Sequence, residues 1–303
     1  MSTTTPPVSA GTSPKAPAIP AGTLARKKLS KPWASLAAIV LAVLWTIPTF
    51  GLLVSSFRPE RAIKTTGWWT FFSDPQVTLA NYEKVLASEG ANALFPYFVN
   101  SFIIVIPAVV IPMTLATLAS YAIAWIDFKG RDVLFVAIFA LQIVPIQVTL
   151  IPLLTLFVDL GIAGEFASMW LAHSTFALPL AIFLLHNFMR EIPRELIEAA
   201  RVDGAGHVKI LFSVLLPLLA PALAAFGIFQ FLWVWNDLLV GLVFGGSENR
   251  PITVALSNLA GTRGTAWHLL SAGAFVSIIV PLVVFLSLQR YFVKGLLAGG
   301  LKG

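Results

Sequence analysis

The 303-residue sequence has no cysteine, and only 11% of its residues are charged. The first absence excludes a disulfide framework, a thiolate metal site and a cysteine nucleophile. The second removes roughly half the solvating charge of an ordinary soluble domain, which is about 25% charged. With 57% of residues hydrophobic and a mean hydropathy of +0.86, no soluble core absorbs the apolar surface. A soluble enzyme, a nucleic-acid binder and a disordered scaffold are thereby excluded. The net charge of +6 fits basic loops on the cytoplasmic side of a membrane better than a nucleic-acid surface.

Further absences bear on what such a membrane protein does. No G-x-x-x-x-G-K-S/T phosphate loop is present, so the chain does not hydrolyse ATP by that route. His173, His186, His207 and His268 are scattered without metal-ligand spacing, and no Ser/His/Asp arrangement stands out. The apolar runs are poor in the acids that ion-coupled carriers use, and no internal repeat marks paired transporter halves. The chain reads as a conduit without its own motor, and not as an enzyme.

What is present is a set of uncharged runs at 33–56, 90–126, 133–158, 166–189, 210–236 and 264–289. Each exceeds the roughly 20 residues a helix needs to cross a bilayer, and helices satisfy every backbone group internally. The sequence therefore predicts an all-α membrane protein with six transmembrane helices. Lys15, Arg26, Lys27, Lys28 and Lys31 precede the first run. Lys129, Arg131, Arg190, Arg194, Arg201 and Lys209 lie in two loops, and Arg290, Lys294 and Lys302 follow the last run. These are 14 of the 20 basic residues. The positive-inside rule puts all of them, and both termini, in the cytoplasm. Residues 1–31 read as a disordered cytoplasmic tail, with a cleaved signal peptide as the alternative, and 32–303 as the membrane domain. Trp68 and Trp69, in the long external loop, suit a membrane interface or a small cap. Prolines in or beside the runs, Pro145 and Pro179 among them, suit kinks that shape packing or line a path.

The loop from 190 to 212 is the most informative stretch. Pro193 suits the first position of a helix and Glu195 its positive end. Leu196, Ile197 and Ala200 cluster at helical spacing, and Glu198 is placed to pair with Arg194 or Arg201. Gly204 permits a left-handed stop, after which a second helix leads toward the membrane from about Gly206. A short amphipathic helix of this kind either lies on lipid headgroups or docks on a protein.

Glu198-Ala199-Ala200, three residues, Gly204, nine residues, then Val214-Leu215-Leu216-Pro217 resembles the EAA motif of bacterial ABC-importer permeases. Val214 in place of isoleucine is the only departure. The resemblance implies a type I importer transmembrane domain in a prokaryotic inner membrane. In that family this loop is a coupling helix seated in a groove of a separate ATP-binding subunit. Carried over, Leu196, Ile197, Ala199 and Ala200 would pack into the groove, Glu198 and Asp203 would make polar contacts, and Gly204 would turn the chain. ATP and Mg would bind on the partner subunits, leaving no cofactor in this chain.

The ending from Gln289 to Gly303 is similar to that of carbohydrate permeases of the maltose-permease G-subunit type. There the tail reaches the ATPase dimer, which implicates Gly295, Ala298, Gly299, Gly300 and Lys302; a basic tail near anionic lipid is the alternative. Trp233-Val-Trp-Asn-Asp237 resembles a Trp-Asn-Asp/Glu pattern of sugar permeases. Trp233, Asn236 and Asp237 are candidates for the translocation path, while Asp237 ending a helix and tryptophans anchoring at an interface are the plainer readings. The stretch from Gly67 to Thr70 resembles alpha-glucoside permeases. The implied partners are a second, non-identical permease, two ATPase subunits, an extracytoplasmic binding protein, membrane lipid and a carbohydrate, with no nucleic acid. An amino-acid or peptide importer and an autonomous secondary carrier are the alternatives.

Overall fold

A computed structural model describes residues 32–87, 89–90, 93–260 and 266–300, with backbone alone at 260 and 290–300. The tail expected over 1–31, and Lys302, lie outside the described residues. The described residues fall into two units, 32–51 and 52–300. Among the described residues every regular element is helical, and the one β-type contact is an isolated bridge between Gly164 and Gly245.

Five helices are long and apolar enough to cross a membrane: α1 (Pro32–Ser56), then Phe95–Trp125, Phe166–Arg190, His207–Asn236 and Trp267–Gln289. Between α1 and Phe95 stand the short helices α2 (Glu60–Thr65) and α3 (Ala80–Leu86). With the 3-10 turn at Trp68–Phe72 they form a small cap, one of the two readings of Trp68 and Trp69. Its centre is the buried Arg58, which donates to the Gly67 carbonyl and to the hydroxyls of Thr66 and Thr70. Asn81 of α3 ties the cap to the end of α1 by donating to the carbonyls of Ser56 and Arg58.

The helix over Phe95–Trp125 is α4. The apolar run at 133–158 departs from a single straight span. It forms α5 (Arg131–Ala140), a short 3-10 turn at Leu141–Ile143 and α6 (Ile146–Asp159), bent by 102°. Pro145 has no N–H to continue a helix and drives Val144 into an extended conformation, φ −73 and ψ 120. Of the six expected spans, five are thus single helices, and the sixth corresponds to a pair of helices bent at Pro145.

The helix over Phe166–Arg190 is α7, which forms with α4 the most extensive helix pair of the fold. Ala108, Ala116 and Ser120 of α4 and Ala172, Ala177 and Ala181 of α7 are all buried, and residues this small let two backbones approach closely. Ser120 Oγ donates to the Ile182 carbonyl at 3.0 Å across the seam. After α8 (Arg194–Val202), α9 (His207–Asn236) packs on α4, on α7 and on α12 (Trp267–Gly300). The short α10 (Leu239–Phe244) and α11 (Ile252–Ala260) lie between α9 and α12.

Prolines inside these helices leave carbonyls without their usual i+4 donor, and each such group is costly in an apolar setting. Three of them are answered by side chains of neighbouring helices. Pro107 frees the Ile103 carbonyl, which accepts from Trp170 Nε1 at 2.9 Å. Pro112 frees that of Ala108, which accepts from Gln230 Nε2 at 3.1 Å. Pro281 frees that of Ser277, which accepts from Trp235 Nε1 at 3.1 Å. These bonds therefore bolt helices to one another.

If this pairing is the reason for Gln230, replacing it by leucine strands the Ala108 carbonyl and costs about 1 kcal/mol. Adding Pro112→Ala restores a backbone donor, so the double variant recovers most of that loss. Unfolding of the wild type, both single variants and the double variant in detergent measures the cycle; two independent losses would show that Gln230 only fills space.

Candidate functional site

The EAA residues form a rigid elbow. Pro193 caps α8 from extended backbone, one position before the first helical residue. At the far end Gly204 adopts φ +79, and the Ala205 N–H reaches the Ala200 carbonyl while the Gly204 N–H reaches that of Arg201. This pair of bonds is the Schellman stop, and it requires the left-handed residue that glycine supplies without strain. A Cβ on Gly204 would meet nothing within 4 Å, so backbone strain alone selects glycine there. Gly206 then caps α9, whose first turns relax into a π-helical stretch at Ile210–Leu215.

The two faces of α8 do different work. Ile197 is 2% exposed and sits in a cluster with Tyr121, Met189, Ile210 and Leu215 of its own chain. The expectation that Ile197 packs into a partner's groove is therefore corrected: its side chain anchors the elbow to α4, α7 and α9. Ala200 is half-buried against the same cluster. Leu196, Glu198, Ala199, Asp203 and Gly204 are exposed, as is Val202 at 88%. Sequence reasoning passed over Val202, although as an apolar residue beside the motif it was visible. Glu198 makes no ion pair with Arg194 or Arg201 among the described residues, in keeping with how little exposed pairs gain. A second latch was not foreseen: Tyr121 Oη and His207 Nδ1 are 2.7 Å apart, joining the end of α4 to the start of α9.

The tail residues Gly295, Ala298, Gly299 and Gly300 continue the helical backbone of α12.

Trp233, Asn236 and Asp237 each engage a different neighbour. Trp233 packs edge-on against His173 of α7 at 5.3 Å. Asn236 is exposed and bonds back to the Leu232 carbonyl. Asp237 accepts the N–H groups of Val240 at 2.8 Å and Gly241 at 3.3 Å, so it caps α10, which is the plainer of its two readings. Burial pushes its carboxyl upward from the ordinary value, and the N–H groups pull the other way. Trp235 is buried among Phe98, Phe102 and Phe231, out of reach of any solute.

Apolar spanning helices carrying a fixed amphipathic elbow at this spacing define the transmembrane permease subunit of an ABC importer. The chain belongs to the family of binding-protein-dependent transport system inner membrane components, whose family model matches residues 109–297. It is 51% identical over 273 residues to the osmoprotective compounds uptake permease protein GgtD of Synechocystis, covering 88% of this chain and 91% of that one. It is 47% identical over 258 residues to the alpha-glucoside transport system permease protein AglG of Rhizobium meliloti, covering 83% and 67%. Among solved structures, a bacterial ABC transporter involved in import of the acidic polysaccharide alginate matches with a TM-score of 0.69 at 22% identity, over 86% of this chain and 98% of that one. The methionine transporter MetNI matches with a TM-score of 0.53 at 16% identity, over 72% and 99%.

Two outcomes follow for these residues. Gly204→Val strains the left-handed turn by roughly 1–2 kcal/mol and lowers transport, whereas Gly204→Asn, a residue that tolerates this conformation, retains most of it. Uptake by the reconstituted complex separates the two. Asp237→Asn keeps a capping oxygen and leaves transport near wild type, while Asp237→Ala loses about 1 kcal/mol of helix stability. Equal loss of transport in both variants would mark the charge itself as essential.

Proposed function

We propose that the chain is one of two non-identical permeases of an ATP-driven importer that carries a carbohydrate, an oligosaccharide or alpha-glucoside, into a prokaryotic cell. Two ATP-binding-cassette subunits supply the energy and hold ATP and Mg, and an extracytoplasmic binding protein delivers the solute. The observation that carries this reading is the α8 elbow: it has EAA spacing, it is fixed on its inner face by Ile197, and Leu196 and Val202 are left uncovered on its surface. Small Ala199 permits close approach, and Glu198 and Asp203 offer carboxylates to the rim of a groove. Closure of the ATPase pair displaces the elbow. Because Ile197 and the Tyr121–His207 contact tie that elbow to α4 and α9, its displacement is passed to the spans as a rigid movement. The tail from Gly295 to Lys302 is a second contact with the ATPases. Residues 190–212 and both termini then face the cytoplasm, in the inner membrane.

The sugar reading is supported by the relative named for alpha-glucosides and by relatives named for arabinooligosaccharides, melibiose, raffinose and stachyose. The relative named for osmoprotective compounds favours a second reading, import of a compatible solute.

Proteoliposomes holding the full complex take up labelled trehalose, sucrose or maltose only with ATP and binding protein. Uptake of glycine betaine and of none of the sugars would replace the first reading by the second. Concentrative uptake by the purified chain alone, driven by an ion gradient, would overturn both. Leu196→Asp and Glu198→Lys weaken co-purification of the ATPase subunits about tenfold while membrane insertion is unchanged.

A further inference from the structure

The broken span leaves irregular backbone where a membrane-crossing helix should be continuous. Leu141, Ile143 and Val144 are exposed at the bend. Non-helical backbone at membrane depth is tolerated only against protein or beside a water-filled cavity. A cavity of about 600 Å³ opens at this point between α6, α7 and the 3-10 turn. Its walls include Gln142, Gln147, Thr149 and Thr175, together with Leu153 and Phe176, and no charged residue.

The polar groups there are left open. Thr149 turns its hydroxyl back to the Ile146 carbonyl at 2.7 Å. The amides of Gln142 and Gln147 and the hydroxyl of Thr175 have no hydrogen-bond partner among the described residues. Pro179 also removes the helical donor of the Thr175 carbonyl. The carbonyls freed by Pro107, Pro112 and Pro281 receive a tryptophan or glutamine N–H; that of Thr175 receives no side-chain donor among the described residues. Two amides and a hydroxyl left without partners would each cost free energy against hydrocarbon, so the cavity suits a polar occupant.

The chemistry of the wall selects that occupant. Each glutamine offers donors and an acceptor, the Thr175 hydroxyl does both, and Leu153 and Phe176 present apolar surface. With no charge on the wall, neither an ion nor a zwitterion finds a counter-charge. A neutral polyhydroxylated ring, with hydroxyls at its edge and C–H groups on its face, satisfies all of these groups together. We infer that this permease itself holds the sugar in transit, through Gln142, Gln147 and Thr175 at the break between α5 and α6. The inference rests on the carbohydrate reading above and assigns direct contact to this subunit.

The cysteine-free sequence makes a direct test simple. Single variants Gln142→Cys, Gln147→Cys and Thr175→Cys in the assembled complex are treated with a charged methanethiosulfonate, beside Ser73→Cys in the exposed cap as a positive control. All three are expected to label, and a transported sugar from the trehalose, sucrose and maltose panel should slow labelling at least fivefold. In parallel, Gln142→Leu/Gln147→Leu should lower sugar flux about tenfold while binding-protein-stimulated ATP hydrolysis persists. Cysteines that label without protection by any transported sugar, or that stay unreactive while Ser73→Cys labels, overturn the subsite and leave the carbohydrate reading standing. A wild-type complex that moves no sugar in the panel overturns that reading and the subsite with it.

Discussion

Hydrocarbon offers no hydrogen bonds, and this one constraint organises the fold. A helix crossing the membrane satisfies its backbone internally, so every proline within it opens a debt at the carbonyl four residues earlier. The side chains that answer at Ile103, Ala108 and Ser277 come from α7 and α9, and they tie α4, α7, α9 and α12 to one another. Without hydrophobic drive between helices in lipid, such bonds and the small-residue seam of α4 with α7 supply the specificity of packing. Trp233 and Trp235 are engaged within the bundle, the first packed on His173 and the second donating to the Ser277 carbonyl.

The same constraint separates the structural part of the chain from the part suited to transport. Where a freed carbonyl has an internal donor, the helices are fixed. At the break after α5 the polar groups are open, and the surrounding wall is uncharged. The elbow at α8 repeats this division on a smaller scale, with Ile197 committed inward and Leu196 and Val202 uncommitted.

Much of this was legible in the residues. The uncharged runs at 33–56 and 166–189 correspond to Pro32–Ser56 and Phe166–Arg190 within a residue, because apolarity and length alone set such spans. The turn at Gly204 was equally visible, since only a left-handed residue ends α8 in that way. The run at 133–158 misled because hydropathy does not say where a helix breaks; Pro145 held that information, but prolines also sit within unbroken α4. Helical periodicity put Leu196 and Ile197 on one apolar face without saying which neighbour would cover each. Asp237 resembled a path residue in sequence, and only its bonds to Val240 and Gly241 reveal a cap.

Sinking Ile197 into its own chain has a bearing on biogenesis. The elbow takes its shape from contacts made within this polypeptide, so no other subunit is needed as a template for it. If this elbow is the ATPase contact proposed above, it is formed before any partner arrives, and engaging it costs little ordering entropy. On that reading, the folding of this chain imposes no order on the arrival of its partners.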